Sequence, residues 1–184
     1  MGTAAPTLKF RAKLHRPATD GRAPAWTFLR VPKSASEKLP SRSMTSVEGT
    51  LNGADFQATL EPDGEGSHWL KVSRKLRESA AATAGDTVAL VIAPMAKEPQ
   101  PRVPADLRKA LSACPDARAT WADVTAVARR DWIHWITSGK RAETRAKRID
   151  TACDMLAKGK RRACCFDRSG MYSKSLSCPV AAED

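Results

Sequence analysis

Trp132–Arg162 reads WIHWITSGKRAETRAKRIDTACDMLAKGKRR, a tryptophan pair followed by a basic segment with helical spacing. On a helix, Ala142, Ala146, Ile149, Cys153 and Leu156 recur at intervals of four and three and fall on one stripe. Arg141, Arg145 and Arg148 repeat on another face, so one edge is expected to pack while another presents cations. Between Lys140 and Arg162 there are nine Lys/Arg and three Asp/Glu, an excess of six in a chain whose formal net charge is +11. The stretch predicts a helical C-terminal half with its charge concentrated on the last helix.

Working toward the N-terminus, Val124, Ala128, Trp132 and Trp135 form the apolar stripe of a preceding helix. Asp123 is expected to cap that helix, and Gly139 to end it in a left-handed conformation. Gly159 should close the basic helix. Before these, Leu107, Ala110 and Leu111 mark a helix that starts at Pro104 and stops near Cys114-Pro115, and a short helix runs on to Trp121. Residues 94–104 hold four prolines and read as a stiff connector.

Upstream of the connector the period changes to two. Leu8, Phe10, Ala12 and Leu14 alternate with polar residues, as in a half-buried strand. Trp26 to Val31 is a second strand. Ser46 to Leu51 and Phe56 to Leu60 flank Asn52-Gly53, the strongest hairpin signal in the chain. Trp69 to Val72 and Thr87 to Ala93 complete six strands, with one helix, capped by Ser73, inserted between them. So many short strands in under a hundred residues predict a small closed barrel, since closure removes exposed edges. The fold class is α+β: residues 1–93 a small β-barrel, 94–104 a linker, 105–165 a helical module, and 166–184 a tail expected to be partly disordered.

Composition bounds the function. At 184 residues, 42% hydrophobic and 28% charged, the chain is ordinary globular material. Its longest apolar run, Val88–Ala93, is far short of the roughly 20 residues of a membrane span. Met1–Arg16 has no cationic head leading into an apolar core, so a cytoplasmic protein is expected. The five cysteines are odd in number and lack CxxC spacing, which argues against a disulfide framework. Cys164 and Cys165 follow Lys160-Arg161-Arg162, and nearby cations favour the thiolate, making these two the candidate redox thiols.

His15, His68 and His134 are isolated in sequence, and no cofactor or metal site is expected. Trp132 and Trp135 read as packing. No GxSxG or HExxH set is present, and the Asp63-Gly64-Glu65-Gly66 turn lacks the context of a phosphate loop, so catalysis is not expected. The candidate partner-binding residues are the cations Lys140, Arg141, Arg145, Lys147, Arg148, Lys158, Lys160, Arg161 and Arg162.

The order of motifs resembles a known bacterial arrangement. Trp26-Thr27-Phe28-Leu29-Arg30-Val31-Pro32, the Val47–Phe56 hairpin and Ala84-Gly85-Asp86-Thr87-Val88 resemble a small-barrel domain of unknown function, which implies a double-split β-barrel. Trp135-Ile136, Lys140, the Glu143-Thr144-Arg145 triplet and Arg148-Ile149 resemble the bacteriocin-protection, YdeI or OmpD-associated family. That resemblance implies a role in envelope stress or antimicrobial-peptide tolerance. The expected function is non-enzymatic binding of an anionic or protein partner through the basic helix. The alternative is a nucleic-acid-binding regulator, since DNA-binding dimers also occur on double-split barrels. Partner identity and oligomeric state are left open by the sequence.

Overall fold

A computed structural model describes residues 6–19, 21–22, 24–163 and 177–182. The chain divides into two compact units, Met1–Lys97 with Leu176–Asp184, and Glu98–Ser175. The division falls inside the proline-containing stretch 94–104.

The first unit is a six-stranded antiparallel sheet curled into a nearly closed barrel. Its strands are β1 (Leu8–Lys13), β2 (Thr27–Arg30), β3 (Thr45–Leu51), β4 (Ala54–Pro62), β5 (His68–Val72) and β6 (Thr87–Pro94), in spatial order β1-β6-β3-β4-β5-β2. Closure is made where His15 N–H donates to the Phe28 carbonyl (2.8 Å) and Phe28 N–H donates back to that of His15 (2.9 Å). The β3–β4 hairpin turns on Asn52 (φ 47°) and Gly53 (φ 85°), left-handed positions that these two residues tolerate best. Asn52 also ties the turn to β6, its Oδ1 accepting from Ala89 N–H at 2.9 Å.

Alternation along β1 and β6 sends Leu8, Leu14, Val88, Leu90 and Ile92 inward to meet Leu29, Leu51, Leu60 and Leu70, which fill the barrel with side chains. Gly49 sits where β3 crosses β6 so closely that a Cβ would lie 1.9 Å from the Val91 carbonyl oxygen.

Two helices are inserted in this unit, where one was expected. Helix α2 (Arg74–Ser79) is capped by Ser73, whose hydroxyl accepts from Leu76 N–H. Helix α1 (Lys33–Ser36) is a single turn started by Pro32, and it carries Ala35 and Ser36 into the interior. There Ser36 Oγ lies 2.6 Å from His68 Nδ1, and His68 Nε2 lies 3.0 Å from the Ser43 carbonyl. A carbonyl only accepts, so Nε2 carries a hydrogen, and in the neutral ring Nδ1 accepts from the Ser36 hydroxyl. His68 is thus a buried, fully bonded structural histidine.

Part of the stretch expected to be a loose tail returns to this unit. Ala18 N–H donates to the Val180 carbonyl (2.7 Å), Ala182 N–H to that of Arg16 (2.8 Å) and Cys178 N–H to that of Asp63 (3.2 Å).

The second unit is helical: α3 (Ala105–Ala113), α4 (Pro115–Asp123), α5 (Ala126–Thr137) and α6 (Ala142–Ala157). Its core is Leu107, Leu111, Trp121, Trp132, Ile136, Ile149, Ala152 and Leu156. Trp132 is fully buried and meets Trp135 edge to face at 6.0 Å, so the pair packs as expected.

Three local expectations are corrected. Thr125, not Asp123, caps α5, its hydroxyl accepting from Ala128 N–H at 3.2 Å. Gly139 is not left-handed, and α5 ends on Ser138 in the right-handed region; a Cβ at Gly139 would be a tight fit, 3.3 Å from both the Ile136 oxygen and the Thr144 methyl. The buried stripe of α6 runs through Ile149, Ala152 and Leu156, leaving Ala142 and Ala146 exposed. Gly159 does close α6 (φ 78°), with Lys160 N–H donating to the Met155 carbonyl and Gly159 N–H to that of Leu156, the paired bonds of a Schellman end.

Candidate functional site

The basic segment was expected to stand free in water, and four of its nine cations do not. Arg145 lies on the core-facing side of α6, in line with Ile149 and Ala152, and its guanidinium grips Asp106 in α3 with Nε to Oδ2 at 2.6 Å and Nη2 to Oδ1 at 3.0 Å. Arg148 donates from Nη1 to the Trp135 carbonyl (2.6 Å) and the Ser138 hydroxyl (2.8 Å), with its guanidinium carbon 5.4 Å from the Trp135 ring centroid. It thereby bonds one of the carbonyl groups in the last turn of α5. Lys158 pairs with Asp154 one turn earlier at 2.8 Å. Arg161 pairs with the Asp123 carboxylate and donates to the Asp123 carbonyl at 2.9 Å.

The other five, Lys140, Arg141, Lys147, Lys160 and Arg162, are exposed and form no ion pair among the described residues. Lys147 shares the solvent face with Glu143, Asp150 and Asp154, a mixed-charge surface. The excess is therefore confined to the two ends of α6: Lys140 and Arg141 ahead of its first turn, Lys160 and Arg162 beyond its last.

The C-terminal end has a built environment. Arg161 and Arg162 line a pocket of about 110 Å³ with Val124, Thr125 and Ala128. The pocket lies at the start of α5, where first-turn N–H groups have no intrahelical acceptor and the helix dipole is positive. Behind it, Arg130 Nη1 bonds Glu98 at 2.6 Å and Nη2 contacts Asp131 at 3.3 Å, with both Arg130 and Glu98 largely shielded. Burial pushes the Asp131 carboxyl above its ordinary range, while Arg130 and Arg162 pull it back. Burial likewise holds the His134 imidazole below its usual value. Arg129 completes the corner, donating to the Trp121 and Ala122 carbonyls and to Gln100.

These internal acceptors are what sequence reasoning missed. Asp106 is 39 residues from Arg145 and Asp123 is 38 from Arg161, so no local pattern pairs them.

Cys164 and Cys165 lie outside the described residues. Of the other thiols, Cys153 and Cys178 are pushed up chiefly by burial, which disfavours thiolate. Among the described residues no group of three metal-ligating side chains comes together. On the barrel, Glu48, Gly49, Asp55, Phe56 and Gln57 line an open depression of about 560 Å³ whose charges are negative.

Fold and site together define an α+β protein, a nearly closed antiparallel barrel followed by a helical unit. Residues 10–92 match a domain of unknown function, DUF1905, and residues 100–159 match the family described as Bacteriocin-protection, YdeI or OmpD-Associated. The first match spans the barrel and the second spans the four helices, in that order along the chain. Among curated proteins, none matches the chain. No helix among the described residues is long and apolar enough to cross a membrane.

Proposed function

We propose that this protein works by binding, without catalysis, and that its helical unit takes an anionic partner at the ends of α6, in the protective role that the family description suggests. What carries this reading is the charge left after internal pairing: Lys160 and Arg162 are exposed and form no ion pair among the described residues, and Arg162 lines the pocket at the start of α5. Arg161 lines the same pocket but is held back from a partner by its pairing with Asp123. Exposed cations act on an anion through solvent and are screened by salt, so attraction should be salt-sensitive and fast.

The test is fluorescence anisotropy of the full chain with labelled polyglutamate and, separately, with a single-stranded oligonucleotide. The reading expects binding at low salt that weakens steeply as salt rises and is lost on Lys160→Glu/Arg162→Glu substitution. Failure of both probes to bind at low salt, or indifference to the double substitution, would overturn it. Tight preference for the oligonucleotide would instead establish the nucleic-acid alternative.

A further inference from the structure

We propose that the row of backbone groups along Arg16–Ala18 is a strand-docking site on the barrel, that the protein's own C-terminal segment fills it as a removable occupant, and that an extended, uncharged segment of a partner protein takes the same place. The site arises where β6 stops short. β6 pairs with the even-numbered residues of β1 as far as Leu14, whose N–H donates to the Asp86 carbonyl (2.9 Å) and whose carbonyl accepts from Gly85 N–H (2.8 Å). There the chain of β6 turns off at left-handed Gly85 (φ 96°), in a turn where the Asp86 carboxylate accepts from Thr83 N–H (2.7 Å). The chain of β1 runs on. On one side His15 exchanges both its bonds with Phe28 and closes the barrel; on the other, the Arg16 carbonyl and Ala18 N–H continue the row that β6 has left. The C-terminal segment fills that row antiparallel. Ala18 N–H donates to the Val180 carbonyl (2.7 Å) and Ala182 N–H to the Arg16 carbonyl (2.8 Å), with Ala181 opposite Pro17. Cys178 N–H reaches the Asp63 carbonyl (3.2 Å).

The hold on this segment is thin. Val180, the largest side chain of residues 177–182, is 73% exposed, so backbone bonds must offset most of the entropy lost in ordering a chain end. A terminal strand held in this way opens locally while the barrel stays folded. The segment also lies outside both matched stretches, 10–92 and 100–159, so neither matched domain supplies the strand that fills this row. What the row accepts follows from what fills it. The bonds engage main chain and are indifferent to sequence, but Pro17 is buried and the position opposite it holds the half-buried Ala181, a small side chain. No residue from 177 to 182 is charged. A partner segment therefore fits if it is extended, uncharged and small at that one position, with main-chain bonds supplying the affinity. Pro179 faces the outward edge without an N–H to offer, which discourages a further strand from adding to the first.

The experiment uses the full chain and a capped hexapeptide of residues 177–182 carrying Cys178→Ser, read by amide hydrogen exchange and NMR titration. An occupied site lowers apparent affinity by the fraction of molecules that are open, so Ala182→Pro, which deletes the donor to Arg16, should speed exchange at Ala18 and tighten peptide binding about tenfold or more. Bound peptide should slow exchange at Ala18 again. Val180→Ser, which alters an outward side chain, should change neither quantity, and Lys160→Glu/Arg162→Glu should leave peptide binding as it is. The proposal is overturned if Ala182→Pro leaves exchange at Ala18 or peptide affinity unchanged, or if a peptide N-methylated at the Ala182 position binds as well as its parent. It is equally overturned if the released segment pairs with a second copy instead, seen by light scattering as a dimer that binds no peptide.

Discussion

Arg145 and Asp106 form a two-pronged ion pair, the arginine reaching from α6 to the first turn of α3 and meeting both carboxylate oxygens within 3.0 Å. The residue that the sequence offered as a partner contact is thus a clasp between helices. Its hydrogen bond to Asp106 holds that carboxyl below the ordinary carboxylate range. A depressed folded value means stability that is present above the unfolded carboxylate value, about 3.9, and lost as pH falls through the folded one.

Arg145→Ala should therefore lower stability at neutral pH by about 0.5–1 kcal/mol, a modest loss because the pair is partly exposed and screened. The difference from the unsubstituted protein should shrink at low pH, once Asp106 is protonated. Thermal unfolding of both proteins from pH 7 down to 3 checks this; a gap that stays constant across that range would mean the pair contributes nothing.

Gly49→Ala should be far more costly. The added methyl would overlap the Val91 carbonyl oxygen, and the obstacle is backbone in a three-stranded stretch paired on both sides. Overpacking in a tight core costs about 1–3 kcal/mol, and a backbone obstacle places this substitution at the upper end or beyond. Urea denaturation measures it, and a loss under about 1 kcal/mol would show that β3 and β6 separate easily.

What was legible in the sequence and what was not divides by distance along the chain. The Asn52-Gly53 hairpin, the Ser73 cap and the left-handed Gly159 are each specified by residues within a few positions of one another, and each forms as expected. Helix α1 has no such signature: it is one turn, made worthwhile by burying Ala35 and Ser36 beneath strands elsewhere in sequence. On α6 the expected Ile149, Cys153 and Leu156 do pack against the core, but one turn earlier Arg145 takes the core edge and leaves Ala142 and Ala146 exposed. Its aliphatic stem can cover the core edge while its head finds Asp106, a compromise open to long side chains that an apolar pattern does not register. The positive charge itself was legible; its internal neutralisation required the fold.

The α4–α5 corner separates two aspartate roles that sequence alone confuses. Thr125→Ala removes the hydroxyl that accepts from Ala128 N–H and should cost about 1 kcal/mol. Asp123→Ala leaves the cap intact and should barely move the unfolding temperature, but it releases Arg161 from its carboxylate partner. On the anion-binding reading, polyglutamate affinity at low salt should then rise, whereas Thr125→Ala should not raise it. Equal effects of the two substitutions on affinity would mean that Arg161 is not held back by Asp123.

Glu61 gives the opposite pH sign to Asp106. It stands on β4 opposite Trp69 of β5, and burial pushes its carboxyl above the ordinary range, with Lys71 opposing the shift. A raised folded value makes the neutral acid the better-fitting form. Its contribution is fully present below the unfolded value, about 4.3, and is lost as pH rises through the folded one. Glu61→Gln keeps the shape and removes the charge, so it should stabilise the barrel at neutral pH by on the order of 1 kcal/mol. Lys71 should tolerate the change, because its ammonium also lies 4.7 Å from the Trp26 ring centroid. The advantage should fade below about pH 4, where Glu61 is itself protonated. Unfolding curves across pH 3–7 for the two proteins should converge at the acid end; curves that diverge there instead would mean that the Glu61 charge is satisfied in the fold and that its loss, not its presence, is what costs stability.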